Sequence, residues 1–169
     1  MKTPTTNPQL TAQCRIESPL GPLTLAATDQ GLAGAWFDDQ AHHPGPLQAP
    51  IDAEQRWLAQ AAREIDAYFS RRLRRFSVPL DLHGTSFQRS VWQALQRIAS
   101  GDLHRYGELA REIGRPQAAR AVGAAVGRNP VSVIVPCHRV VGSNGSLTGY
   151  AGGLNRKQAL LLLEGAALA

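Results

Sequence analysis

Short apolar stretches broken by turn residues run from Cys14 to about Phe37. Leu23-Thr-Leu-Ala-Ala27 and Gly34-Ala-Trp-Phe37 are separated by Pro19, Gly21-Pro22, Asp29-Gln-Gly31 and Asp38-Asp39, a pattern that predicts a small antiparallel sheet. Residues 1–12, polar and rich in Thr, Pro and Asn, read as a flexible arm ahead of it. His42 to Pro50 is a loop by composition. The period then changes. Between Ile51 and Ser70, Trp57, Leu58, Ala61, Ala62, Ile65, Tyr68 and Phe69 recur at three- and four-residue steps, predicting a helix that packs on the core. Phe76–Leu80 reads as a last extended piece before the polar Asp81-Leu-His-Gly84.

Thr85 and Gln88 have the spacing of a capping box, and Phe87, Val91, Leu95 and Ile98 form the apolar face of the helix it opens. A short helix over Gly107–Gly114, a break at Arg115-Pro116 and a second helix over Gln117–Val126 match a helix-turn-helix. Val131–Val135 reads as a buried strand, and the chain turns at Pro136-Cys-His-Arg-Val-Val141. Gly142–Gly145 is a turn and Gly149–Gly153 a loop; a last helix runs from Asn155, its expected cap, to Gly165. The expected fold class is α+β in two domains: residues 1–80, a linker at 81–85, and residues 86–169.

The 169 residues suffice for a core without disulfide or metal staples, and a hydrophobic fraction of 43% with mean hydropathy −0.22 is ordinary for a globular protein. No apolar run reaches membrane-spanning length and no secretory segment follows Met1-Lys2, so a cytoplasmic address is expected. Charge is distributed unevenly. Residues 1–85 carry eight basic against nine acidic side chains, residues 86–169 ten against four, and sixteen of the eighteen cations are Arg. That asymmetry makes an anionic partner plausible for the second half. The Arg71–Arg75 run reads first as a solvated helix end and second as a nucleic-acid contact. His42-His43 lacks further ligands at metal-site spacing and reads as solvated loop. Cys14 and Cys137 have no CxxC spacing and read as single thiols.

Two features carry candidate chemistry. In the second helix of the pair, Arg120 is the only long side chain between Gln117 and Arg128, which suits either close packing on another helix or entry into a DNA groove with Arg120 as a probe. Cys137, at the end of the apolar run and next to His138 and Arg139, is either a buried small hydrophobe or a nucleophile activated by its neighbours. Glu164 either orients His138 in a Cys/His/carboxylate relay or is a solvated terminal residue.

Pro136-Cys-His-Arg-Val140, Gly149-Tyr150, Gly152-Gly-Leu154, Arg120-Ala-Val-Gly123 and Asn129-Pro130 together resemble the O6-alkylguanine-DNA alkyltransferases, the methylated-DNA–protein-cysteine methyltransferases. The motifs cover roughly Phe87 to Gly165; before that only general architecture agrees. The resemblance implies a ribonuclease-H-like N-terminal domain and a C-terminal domain with a winged helix-turn-helix. It implies direct, irreversible, single-turnover repair in which Cys137 takes the alkyl group from O6-alkylguanine. By the same resemblance, His138, through a water, and Glu164 draw the proton from Cys137; Arg139 braces the turn and Asn129 links it to the recognition helix. Tyr106 favours rotation of the nucleotide and donates to guanine N3, and Arg120 fills the vacated stack. Ala121 and Gly123 touch the minor groove, and Ser143 a phosphate. Tyr150, the amide of Ala151 and the carbonyls of Cys137 and Val140 form the base pocket, which Lys157 supports.

The implied partner is double-stranded DNA carrying O6-alkylguanine, with O4-alkylthymine as a further candidate lesion, bound by a monomer or cooperatively along the duplex. The sequence departs from the family at Gly101-Asp-Leu-His-Arg-Tyr106, where many bacterial members have Thr-Arg-Thr before the tyrosine, and at Ala151, a serine in some members. Some relatives hold zinc with two Cys and two His; Cys14 with His42, His43 and His83 does not reproduce that set, so no metal and no cofactor is expected. Two rivals are an alkyltransferase-like binder, opposed by the presence of Cys137, and a helix-turn-helix regulator, opposed by the lack of base-reading polar residues over Gln117–Val126.

Overall fold

The computed structural model describes residues 8–168; the first seven residues of the expected arm lie outside the described residues. Strands β1 (Ala12–Ile16), β2 (Leu23–Ala27) and β3 (Leu32–Phe37) form the antiparallel meander that the turn signals predict, with Leu25 opposite both Cys14 and Ala35. Ala12 is already a strand residue, and the Thr11 amide donates to Ala27 O at 2.8 Å, so ordered pairing starts inside the stretch assigned to the arm.

Helix α1 (Arg56–Phe69) packs Leu58, Ala61, Ile65 and Tyr68 into the core, the large aliphatic side chains Leu58 and Ile65 each contributing about 1.5–3 kcal/mol. It begins five residues later than its apolar period predicts. The Gln55 side chain accepts from the amides of Trp57 and Leu58 and caps the helix, while Ile51 is drawn into a bridge with Gln13 on the edge of β1 and stays 85% exposed. Past Ser70 the helix closes through Arg71 at φ 60°, with the Arg72 amide on Ala67 O at 2.8 Å, so the arginine run starts at the solvent-exposed C-terminal end of α1. Arg72 pairs with Asp66 on the surface, and Arg74 and Arg75 border a groove of about 1180 Å³ shared with Arg89 and Arg97.

All six residues of β3 are buried, although β3 is an outer strand of its sheet. Two later segments cover its edge in succession. Leu32 pairs with Pro79–Asp81, and Ala35 exchanges hydrogen bonds with Pro130 O and the Ser132 amide at 2.9 Å each. Backbone groups that would otherwise need water are thereby satisfied, and the approach to Cys137 is anchored on the N-terminal sheet.

Helix α2 (Ser86–Leu95) opens on the predicted capping box, with both reciprocal bonds between Thr85 and Gln88 formed. Its Trp92 indole donates to Ala125 O at 2.8 Å, which fixes the helix-turn-helix pair α3 (Tyr106–Glu112) and α4 (Ala119–Gly127) behind it. Strands β4 (His104–Arg105) and β5 (Val140–Val141) pair in parallel and tie the entry of α3 to the segment after Cys137. Helix α5 (Leu154–Leu163) is capped by Gly153 at φ 91°; Asn155, the expected cap, lies in its first turn.

The strand expected over Val131–Val135 does not form. Only Val131 bridges to β3; the chain then turns, with the Val135 amide bonded to Val131 O at 3.0 Å and Val133 at φ 72°, a strained value for a β-branched residue. The run is buried as its composition predicts. What replaces the missing ladder is the Asn129 side chain.

Candidate active site

Asn129 is buried and its amide spans the turn. Oδ1 accepts from the Val131 amide at 2.9 Å, and Nδ2 donates to Val135 O at 2.8 Å and to Cys137 Sγ at 3.2 Å. One side chain thus supplies the hydrogen bonds a strand partner would, and holds the sulfur as well. Cys137, 4% exposed, opens a 3-10 turn, Cys137–Arg139, whose three side chains are all buried.

The two residues after the thiol point away from it into a charged cluster. His138 Nε2 lies 2.7 Å from Glu164 Oε1; Arg139 donates from Nε to Oε2 at 2.9 Å and from Nη2 to Oε1 at 2.8 Å, with Nη1 on Ile98 O. Glu164 caps the C-terminus of α5 and, despite burial, is held well below the usual carboxylate range by the hydrogen bonds and charges of His138 and Arg139. An ionised Glu164 accepts only, so His138 carries its proton on Nε2 and presents a bare Nδ1, which is buried with no protein partner. Burial keeps His138 below its ordinary value, against the pull of Glu164, so the ring rests neutral.

Adjacency to His138 and Arg139 does not lower the Cys137 pKa. Burial raises it, and the opposing influences are the Asn129 hydrogen bond and the nearby Lys157 charge. The sulfur therefore rests as a thiol and needs a base to react. Lys157, fully buried on α5, donates to the carbonyls of Val140, Thr148 and Gly149, clasping the loop before Tyr150 to β5; burial lowers its ammonium to about 8.

Cys137 faces a cavity of about 250 Å³ lined by Tyr106, Gly123, Val126, Tyr150, Ala151 and, from the N-terminal loop, His42. Tyr106 is the first residue of α3, and its ring lies over Gly123 of α4. Helix α4 turns Val122, Ala125 and Val126 inward and Arg120, Ala121, Ala124 and Arg128 outward. The structure thus gathers Cys137, Tyr106, Gly123, Tyr150 and Ala151 around one pocket and His138, Glu164, Arg139, Asn129 and Lys157 behind it. Arg120, Ala121 and the exposed Ser143, in the 142–145 turn, lie outside both groups. The Cys137 and Val140 carbonyls already accept from the Val140 amide and from Lys157.

Residues 15–82 match the ribonuclease-like domain of 6-O-methylguanine DNA methyltransferase, and residues 86–166 match its DNA binding domain. A methylated-DNA–protein-cysteine methyltransferase of Mycolicibacterium paratuberculosis is 49% identical over 149 residues, 88% of this chain and 89% of that protein. One from Methanosarcina acetivorans is 47% identical over 150 residues, 89% of this chain and 96% of that protein. The chain belongs to the 6-O-methylguanine DNA methyltransferase family. The structure of the Mycobacterium tuberculosis family member OGT in complex with DNA superposes with a TM-score of 0.84 at 46% identity, covering 92% of this chain and 93% of that one.

Family motifs concentrate after Phe87, and most of what they leave out comes from before it. The Ala41 amide donates to Ala151 O at 2.8 Å, placing the N-terminal loop, with His42 at φ 59°, at the pocket mouth, where composition alone reads solvated loop. Gln40 Oε1 accepts from the Phe37 amide at 2.8 Å and from Ser132 Oγ at 3.0 Å. Arg156 bridges Gly152 O to Leu20 O and Asp39. Tyr68 donates to Glu164 Oε1 at 2.7 Å. The long-range contacts among these carry no local sequence signal, because their partners are set by how the two halves meet.

Proposed function

We propose that this family member repairs DNA directly, transferring the alkyl group from O6-alkylguanine to Cys137 in one irreversible turnover. The observation that carries this reading is the division around Cys137: an open pocket in front of the sulfur and a buried Glu164–His138 pair behind it. Residues 86–169 supply the DNA-binding and alkyl-accepting domain; residues 1–80, across the 81–85 segment, close the back and rim of the pocket.

His138 Nδ1 takes the thiol proton through a water, and Glu164 stabilises the resulting imidazolium. The thiolate attacks the carbon bonded to O6; the S–C bond forms as the C–O bond breaks, and the electron pair leaves with the guanine. Tyr106 donates its hydroxyl to guanine N3 as that charge develops. Tyr150 stacks on the extruded base, the Ala151 amide and the Cys137 and Val140 carbonyls pair with it, and Lys157 keeps the pocket loop in place. Arg120 fills the space the base leaves, with Ala121 and Gly123 against the minor groove and Ser143 on a phosphate. Arg139 and Asn129 hold the turn. A thioether has no easy leaving group, so each molecule acts once.

No helix of the described residues is long and apolar enough to cross a membrane; a cytoplasmic location fits a DNA substrate. The deciding measurement is intact mass after incubation with an oligonucleotide containing O6-methylguanine. Transfer adds about 14 Da, from S–H replaced by S–CH3. An unchanged wild-type mass sinks the activity, and a gain that survives Cys137→Ser sinks the site.

A further inference from the structure

We propose that Tyr68, carried by α1 in the N-terminal half, is a positioning residue of the relay behind Cys137, its hydroxyl tuning His138 through their shared acceptor on Glu164. The proposal rests on the alkyl-transfer reading and adds a component from a domain to which that reading assigns only enclosure.

Glu164 Oε1 accepts from three groups at once: Tyr68 Oη–H at 2.7 Å, His138 Nε2–H at 2.7 Å and Arg139 Nη2 at 2.8 Å, while Oε2 takes only Arg139 Nε at 2.9 Å. A carboxylate oxygen offers about two lone-pair directions, so Tyr68 and His138 compete for one atom. Each donor withdraws charge from Oε1 and weakens its hold on the Nε2 proton, which makes the imidazolium less favourable. Tyr68 cannot easily turn away. It is 3% exposed, and its ring meets Phe69 edge-on at 5.2 Å and Phe76 at 5.3 Å. Burial and the neighbouring carboxylate raise its phenol well above the ordinary value, so it remains a donor throughout the working range.

The other groups facing this cluster are Arg139 from the turn, Lys157 from α5, Cys137 itself, Tyr150 from the pocket loop with its ring 6.5 Å from His138, and Arg71 and Arg74 at the cleft outside Glu164. Besides His138 itself, Tyr68 and Arg139 donate to Glu164, and of these two only Tyr68 does so without a charge. Removing its hydroxyl leaves the cationic bracing intact and returns negative charge to Oε1. His138 then binds its proton more tightly, and the neutral ring needed to receive the thiol proton is reached only at higher pH.

The test is the pH profile of single-turnover transfer from free O6-benzylguanine, between pH 5 and 9, for wild type and Tyr68→Phe, followed by intact mass. The acid limb of Tyr68→Phe is expected to move up on the order of one pH unit. The titration midpoint of the His138 ring, read by nitrogen NMR on the same samples, should move in the same direction. A packing role alone would scale the rate without moving either midpoint, and that result overturns the proposal. Should Tyr68→Phe not fold, 3-fluorotyrosine at position 68, a more acidic and stronger donor, must move both midpoints down; unmoved midpoints overturn the proposal equally. Wild type that transfers nothing overturns the alkyl-transfer reading itself, whereas normal wild-type transfer with coincident profiles removes only Tyr68 from the relay.

Discussion

Behind Cys137, Glu164, His138 and Arg139 are almost wholly shielded from water and bonded to one another at 2.7–2.9 Å. In front of it, α4 presents Arg120, Ala121, Ala124 and Arg128 to solvent, and no ion pair joins either arginine to an acid among the described residues. The two regions lie on either side of one 3-10 turn. The buried side must satisfy its charges internally, because a lone charge removed from water is costly. The exposed side gains by leaving its donors free, because phosphates and bases supply the partners. Substitutions behind the sulfur should therefore change stability and chemistry together, and substitutions in front should change DNA-dependent steps with little effect on stability.

Arg139→Met tests the buried side most severely. It leaves Glu164 without its counter-cation, and the loss expected is about 3–5 kcal/mol in urea unfolding, with transfer falling as Glu164 regains a proton or the turn loosens. A loss under about 1 kcal/mol would show that water or Lys157 compensates and that the cluster is not what stabilises the turn.

Asn129→Ala comes next. The Val131 amide would lose its partner, costing about 1–3 kcal/mol if water stays out, while the Val135 carbonyl would keep the Cys137 amide at 2.8 Å. The sulfur loses a donor that opposes the burial-driven rise of its pKa, so transfer at neutral pH should slow as well. Asn129→Ala with full stability but slow transfer would separate the two roles of this side chain and limit it to the thiol.

What the chain discloses in advance follows the same division. The helix-turn-helix, the capping box at Thr85 and Gln88, and the small outward face of α4 depend on neighbours within a few residues, and all three are legible from spacing. Cys137, His138 and Arg139 are legible as a motif, but their spatial separation is not: sequence adjacency suggests mutual activation, whereas the turn sends the thiol to one side and the partner of His138 and Arg139, Glu164, to the other. Val131–Val135 reads as a strand because its residues are β-branched and buried, and nothing local reveals that Asn129 will stand in for a strand partner. Tyr68 is the extreme case. On the apolar face of α1 it reads as core, which its ring is, but its hydroxyl meets a carboxylate 96 positions away.

On the exposed side, Arg120→Ala is expected to lower repair in duplex DNA about tenfold, the equivalent of about 1.4 kcal/mol of transition-state stabilisation, and to reduce reaction with free O6-benzylguanine far less. Unfolding should shift by under about 0.5 kcal/mol, as for a solvent-facing side chain without a partner. Equal losses on both substrates would remove Arg120 from the role of filling the vacated stack and make it a support for α4.

Gly123→Ala gives the smallest change and the sharpest separation of fold from function. Gly123 sits inside α4, and a Cβ there would meet only Tyr106 ring carbons, at 3.7 and 3.8 Å, ordinary contact distances. With no steric penalty, replacing a mid-helix glycine should stabilise the protein by about 0.5–1 kcal/mol, a rise of roughly 1–4 °C in Tm. The added methyl stands on the surface that lines the pocket beside Tyr106, where minor-groove contact requires close approach. Duplex repair should therefore fall a few-fold while Tm rises, since helix preference and groove fit ask for different residues at this position. If Tm and duplex repair both rise, the small face of α4 is only a packing surface and DNA contact must be carried by Arg120 and its neighbours.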